Sequence, residues 1–147
     1  MNKDKIYELF DKLTTLTSLQ DIGYHKMLDN KLSPVMKSRV GKITEHEWMQ
    51  RHFDSPVSIE DDKLISKVVA TKHSVYVKDF KEYSNKGMNS FSIHSVYMFP
   101  VVLNNEIKGI IAVVSIGKTV ILSEEIINKC EELINSYMEH FIIITLK

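Results

Sequence analysis

A single cysteine, Cys130, stands in the 147 residues, so the chain cannot close a disulfide within itself or build a multi-cysteine metal site, and its thiol suits a reducing compartment. Net charge is missing too. The 19 Lys plus Arg balance 19 Asp plus Glu, leaving no overall basic field to hold nucleic acid. Only 5 glycines and 3 prolines occur, and with them neither a low-complexity stretch, nor a Gly-rich phosphate loop, nor a Gly-x-Ser-x-Gly elbow. Long apolar runs are absent as well. The opening MNKDKIYELF lacks the apolar core of about 7–15 residues that a secretory leader needs. The closing run from Phe141 to Leu146 falls far short of the roughly 20 residues that span a bilayer. These absences predict one globular, cytoplasmic domain over residues 1–147, with no membrane span.

Metal and catalytic chemistry find little support. The six histidines, at 25, 46, 52, 73, 94 and 140, fall at no His-x-x-x-His or other tight ligand spacing. The carboxylate run Glu60-Asp61-Asp62 reads as the acidic first turn of a helix, where the macrodipole favours it. Seven methionines read as adaptable core filler rather than a haem pocket. Neither an enzyme nor a cofactor is expected.

What is there is hydrophobic patterning. Ile6, Leu9, Phe10, Leu13, Leu16 and Leu19 recur on one face of a first helix. Gly23 to Gly41, turned at Asp29-Asn30, reads as a hairpin whose second strand carries Pro34 and so lies at an edge or bulge. Thr44 and Glu47 carry a capping signature for a short helix to about Phe53 that contains Trp48. Ser58 is the expected N-cap of the next helix, with Leu64, Ile65, Val68 and Val69 as its stripe and its end near Thr71. Val75–Val77 reads as a short strand, and Tyr83 to Ser92 as a loop. The strongest strand signal, Ser95 to Leu103, is turned by Asn104-Asn105 into Ile107 to Ser115, apolar on both faces. From Ser123 a stripe through Cys130 to Phe141 predicts one closing helix of about 20 residues. The sum is a three-layer α/β (α+β) sandwich: a central antiparallel sheet of about five to six strands, terminal helices on one face, short helices and loops on the other.

In this order the chain resembles the GAF family. LISKVVATKHSVYVKD is similar to that family's helix, Thr-Gly-x-Pro turn and strand ending in Asp, here Asp79. HSVYMFPVVLNNEIKGIIAVVS resembles its Ser- and Pro-containing strand, tight turn and following strand with Gly109, and SEEIINKCEELINSYMEHF its closing helix. Two departures stand out: Lys72 replaces the usual Gly and Ser74 the usual Pro, so a differently built turn is expected. The resemblance implies a small-molecule pocket between the sheet and the short helices, and pairing through the first and last helices. The cyclic-nucleotide signature Asn-Lys-Phe-Asp-Glu is absent, and one cysteine serves neither a free methionine sulfoxide reductase nor a covalent bilin.

Among subgroups, stand-alone nitrate receptors of a two-component kinase fit the length. That resemblance implies an anion held by Trp48, by backbone N–H groups at Val69 and Ala70, and by Tyr97 and Phe99, with His94 and Ser95 at the strand entry. Helix N–H dipoles and an indole N–H suit a weakly hydrated monoanion. The plainer readings are that Trp48, Tyr97 and Phe99 pack a core, and that His94 is a surface residue. The expected function is a ligand-sensing domain, nitrate being the best single ligand, that modulates a signalling partner such as a sensor histidine kinase, as a homodimer. The competing reading is a dimerisation or interaction module with no ligand, and a haem or redox sensor ranks below both.

Overall fold

The structure, a computed structural model, describes residues 2–78 and 92–146. Asp79 and the predicted loop from Tyr83, all but its last residue, lie outside the described residues. The elements run α1 (Asn2–Thr17), β1 (Asp21–Leu28), β2 (Lys31–Lys37), α2 (Glu45–Asp54), β3 (Val57–Ser58), α3 (Lys63–Thr71), β4 (Val75–Val77), β5 (Ile93–Leu103), β6 (Glu106–Ile116), α4 (Glu124–Ser136) and α5 (Glu139–Leu146). Six strands form one antiparallel sheet in the order β3-β2-β1-β6-β5-β4.

Both hairpins turn on consecutive left-handed residues, Asp29-Asn30 and Asn104-Asn105, the conformation that suits the right-handed twist of paired strands. Pro34 sits beside a bulge, where Tyr24 pairs Met36 but His25 already pairs Pro34. Among the described residues, β2 has no partner on its outer side beyond Leu32. The missing proline N–H therefore costs no ladder bond.

Apolar alternation on β5 and β6 feeds two cores. Tyr97, Phe99, Val101, Ile111 and Val113 pack under α1, α4 and α5. Val96, Met98 and Ile110 pack under α3 through Leu64, Ile65 and Val68. At roughly 1.5–3 kcal/mol for each fully buried large apolar side chain, the two cores together hold the three layers.

Two expectations are corrected. Ser58 does not cap α3: it lies in β3 opposite Lys31. Asp62 caps instead, its carboxylate accepting from the Leu64 and Ile65 N–H groups at 2.9 and 3.1 Å, so Glu60 and Asp61 precede the helix rather than open it. The closing helix is two helices. At Tyr137 and Met138 the backbone switches to i→i−3 bonds, and the Ser136 hydroxyl donates to the Leu133 carbonyl at 2.6 Å, competing with the ladder. The break turns α5 so that Phe141 and Ile144 reach the core. Lys72 forms the C-cap of α3 in the left-handed conformation at φ 58°, which glycine favours.

Candidate functional site

On β1, Ile22 and Tyr24 point into the core under the terminal helices. The alternate residues Asp21, Gly23 and His25 face α2 and line a cavity between that helix and the sheet. The capping box of α2 is in place, Thr44 accepting from the Glu47 N–H at 3.1 Å. It starts the helix so that Trp48 and His52, one turn apart, share the face that looks down on β1. A Cβ at position 23 would lie 2.6 Å from the Trp48 Cζ2. Only glycine allows the indole to rest on the strand.

Three rings meet there. His25 lies 5.0 Å from Trp48 and 4.7 Å from His52, and Trp48 lies 5.1 Å from His52, centroid to centroid. The hydrogen bonds fix the tautomers. His25 Nδ1 is 3.3 Å from the Ile110 carbonyl, which only accepts, so Nδ1 carries the proton. His25 Nε2 is then a lone pair, and His52 Nε2, 3.2 Å away, donates to it. What remains is His52 Nδ1, a lone pair that is buried and has no partner among the described residues. Burial pushes His25 down to about 3, helped by the neighbouring His52, and burial pushes His52 down to about 4. Both rings are neutral at pH 7.

Asp21 and Lys37 complete the polar wall as an ion pair at 3.0 Å whose side chains are 6% and 2% exposed. The Asp21 carboxylate also accepts from the Lys42 and Ile43 N–H groups at 3.0 and 2.9 Å. The pair is thus satisfied, as burial of charge requires. Lys37 Nζ reaches the Ser38 hydroxyl at 3.4 Å; its third N–H has no acceptor among the described residues. The indole N–H of Trp48 likewise has no protein acceptor among them. Apolar lining comes from Ile43, Ile93, Ala112 and Val114. The cavity holds about 60 Å³. A water needs roughly 10–15 Å³ on this measure, so a molecule of a few non-hydrogen atoms fits, and a nucleotide or tetrapyrrole does not.

Of the expected site residues, Trp48 alone lines this cavity. Val69 is half-buried against the α3 core, and Ala70 is exposed. Tyr97 and Phe99 are corrected to the other side of the sheet, in the core under the terminal helices. There the Tyr97 hydroxyl donates to the Val120 carbonyl at 2.7 Å and accepts from the Leu122 N–H at 2.9 Å. The Ser95 hydroxyl is also spent, donating to the Lys78 carbonyl at 2.6 Å and accepting from the Val120 N–H at 3.0 Å. His94 is the bulged residue between the pairs Ile93–Ile116 and Ser95–Ser115. The bulge inverts the alternation, so Ile93 faces the cavity while Ser95 faces away. Cys130 is buried in the core under the terminal helices, and burial, with Glu131 nearby, pushes its thiol up to about 11. It is a packing group remote from the cavity.

Sequence reasoning missed Asp21, Gly23, His25, Lys37 and His52. Two signals pointed to them: the i, i+4 spacing of Trp48 and His52, and a lone glycine inside the strand DIGYHKML.

Compared by sequence, the chain matches no protein-family model and no curated protein. Compared by structure it resembles many GAF domains. The GAF domain/HD domain protein from Geobacter sulfurreducens superposes with a TM-score of 0.79 at 11% identity, over 99% of this chain and 95% of that one. The GAF-B domain of DevS from Mycobacterium smegmatis gives 0.69 at 9%, over 97% and 94%. The type II free methionine-R-sulfoxide reductase from Thermoplasma acidophilum gives 0.71 at 20%, over 95% and 91%. The fold is therefore the GAF fold.

Proposed function

We propose that this GAF-fold chain is a ligand-sensing regulatory domain whose ligand, a molecule of a few non-hydrogen atoms, binds between α2 and β1 against Trp48, His25 and His52. The observation that carries the reading is a cavity lined by Trp48, His25 and His52 beside the buried Asp21–Lys37 pair, and too small for a nucleotide. Chemistry on the ligand finds no support, because the sole cysteine is a buried, protonated thiol on the other side of the sheet.

In this reading ligand occupancy modulates a signalling partner in the cytoplasm, a two-component kinase being the expected class, and the domain works as a homodimer. Nitrate has the right size. The arrangement expected for it, with Tyr97 and Phe99 beside Trp48, is not the one formed.

A thermal-shift series tests the reading with nitrate, acetate, acetamide, chloride and cyclic AMP at millimolar level. A ligand at about 100 times its dissociation constant adds roughly 2.7 kcal/mol, a rise of several degrees for a domain of this size. A rise with a four-atom compound, lost in Trp48→Ala, is expected, and none with cyclic AMP. No rise with any compound favours the second reading, an interaction module. That alternative draws on Ile142 and Ile143 of α5, which are 44% and 50% exposed, since exposed neighbouring apolar side chains mark contact surfaces.

A further inference from the structure

Resting on the reading that the cavity between α2 and β1 is the sensing site, we propose that α2 is an acid-released lid. Protons taken up by His25 and His52 lift the helix from β1 and open the cavity while the two cores stay folded.

The helix is lightly held. It buries one side chain, Trp48, where α1 buries five and α3 and α4 bury three each. Trp48 belongs to neither core. The chain is pinned just ahead of α2, where the Asp21 carboxylate accepts from the Lys42 and Ile43 N–H groups. It is pinned again just after it, where β3 pairs with β2. Between these points α2 rests on β1 through Trp48 against Gly23 and His52 against His25. A segment with so few buried apolar contacts opens at a lower free energy than the cores.

The closed lid has no place for a proton on either ring. His25 Nδ1 is spent on the Ile110 carbonyl. A proton on His25 therefore enters at Nε2, the atom that accepts from His52, and sets N–H against N–H at 3.2 Å. A proton on His52 enters at Nδ1, which is buried and has no partner among the described residues, so the cation would be left unsolvated. Among the described residues lining the cavity, none is a free anion. The charged ones are Asp21 of β1, Lys37 of β2 and Arg51 of α2 itself, and β6 adds only apolar Ala112 and Val114. Asp21 is already bonded to Lys37 and to two backbone N–H groups, and Arg51 is a further cation. Raising α2 gives both imidazoles to water, where each binds its proton near pH 6.5. A ligand held between α2 and β1 keeps the lid down, so ligand and protons oppose each other.

Hydrogen exchange of the whole chain tests this. It is read residue by residue by NMR between pH 7.5 and pH 5.5 and scaled for the chemical exchange rate at each pH. The amides of α2 from Trp48 onward are expected to open at least tenfold more often than those of β5 and β6 at every pH. Their opening constant is expected to rise about a hundredfold from pH 7.5 to pH 5.5, the value for two rings that each bind a proton only when released. His52→Gln leaves one such ring and should reduce the rise to about tenfold. An α2 opening constant that does not change with pH overturns the inference. So does one equal to those of β5 and β6 throughout, because acid then acts on the whole domain. Both outcomes are read on the wild type, so no variant has to fold. The sensing reading is tested apart, by the thermal-shift series run at pH 8. No shift there sinks that reading, while exchange at α2 alone decides whether acid releases the helix.

Discussion

Stability should fall steeply as the solution is made mildly acidic, and the histidine pair sets the size of the effect. In the folded chain burial holds His25 near 3 and His52 near 4; unfolded, each returns to about 6.5. A base whose folded pKa is depressed stabilises the fold fully above the unfolded value and loses that stabilisation as pH drops toward the folded one. The loss therefore starts near pH 6.5 and runs to about pH 4. Each imidazole that binds a proton only when unfolded gives a limiting slope of about 1.4 kcal/mol per pH unit. Between pH 6 and pH 5 the pair together loses about 2 kcal/mol, or roughly 5–8 °C in melting temperature for a domain of this size. The assay is urea denaturation at half-unit steps from pH 8 to pH 4.5, on the wild type and on His25→Asn/His52→Gln. Subtracting the two curves cancels the other titrating groups. The double variant should be less stable at pH 8 and close on the wild type as pH falls. Parallel curves across that range would refute the burial of two neutral imidazoles and, with it, the tautomer assignment.

Three further perturbations bear on the same structure. Gly23→Ala puts a methyl 2.6 Å from the Trp48 ring; denaturation should show a loss of about 1–3 kcal/mol, with Trp48 emission shifted, because either the indole or β1 must move. Lys72→Gly should raise stability by about 0.5–1 kcal/mol, since the left-handed cap no longer carries a side chain and the bond lost, Lys72 Nζ to the Asn105 carbonyl, is exposed; a destabilised variant would contradict the φ of 58°. Tyr97→Phe leaves the buried Leu122 N–H and the Val120 carbonyl without their hydroxyl partner and should cost about 1–3 kcal/mol while binding of any cavity ligand stays as in the wild type.

Elements with strong periodic or turn signals could be read from the sequence alone. The first helix, both Asn- or Asp-turned hairpins and the Thr44 cap each follow from local chemistry that tertiary packing had no reason to override. Where two local signals competed, the reading slipped. Ser58, Asp61 and Asp62 are all acceptable caps, and the pairing of β2 with β3 claimed Ser58. A stripe continuous from Ile126 to Phe141 gave no hint that Ser136 would turn its hydroxyl on Leu133. For the site the difficulty is parity. Alternation shows that Tyr97 and Phe99 share a face of β5 but not which face, and both faces are apolar. The side with three helices has the depth for two aromatic rings, whereas α2 rests close on the strand at Gly23. His25, which faces that cavity, sits in a strand whose flanking residues look like ordinary core.

The two faces of the domain stand one residue apart on β1. His25 touches the cavity, and its neighbour Tyr24 bonds through its hydroxyl to Thr145 on α5 at 2.6 Å while its ring packs 4.8 Å from Phe141. A single peptide unit therefore separates a residue that lines the cavity from one that is bonded to the last turn of α5. If filling the cavity shifts β1 and with it the grip of a partner on α5, reciprocity requires that partner to alter the affinity within the cavity by the same factor. A partner would then sense the ligand without touching α2, and immobilising α5 would tune the sensor from the far side of the sheet.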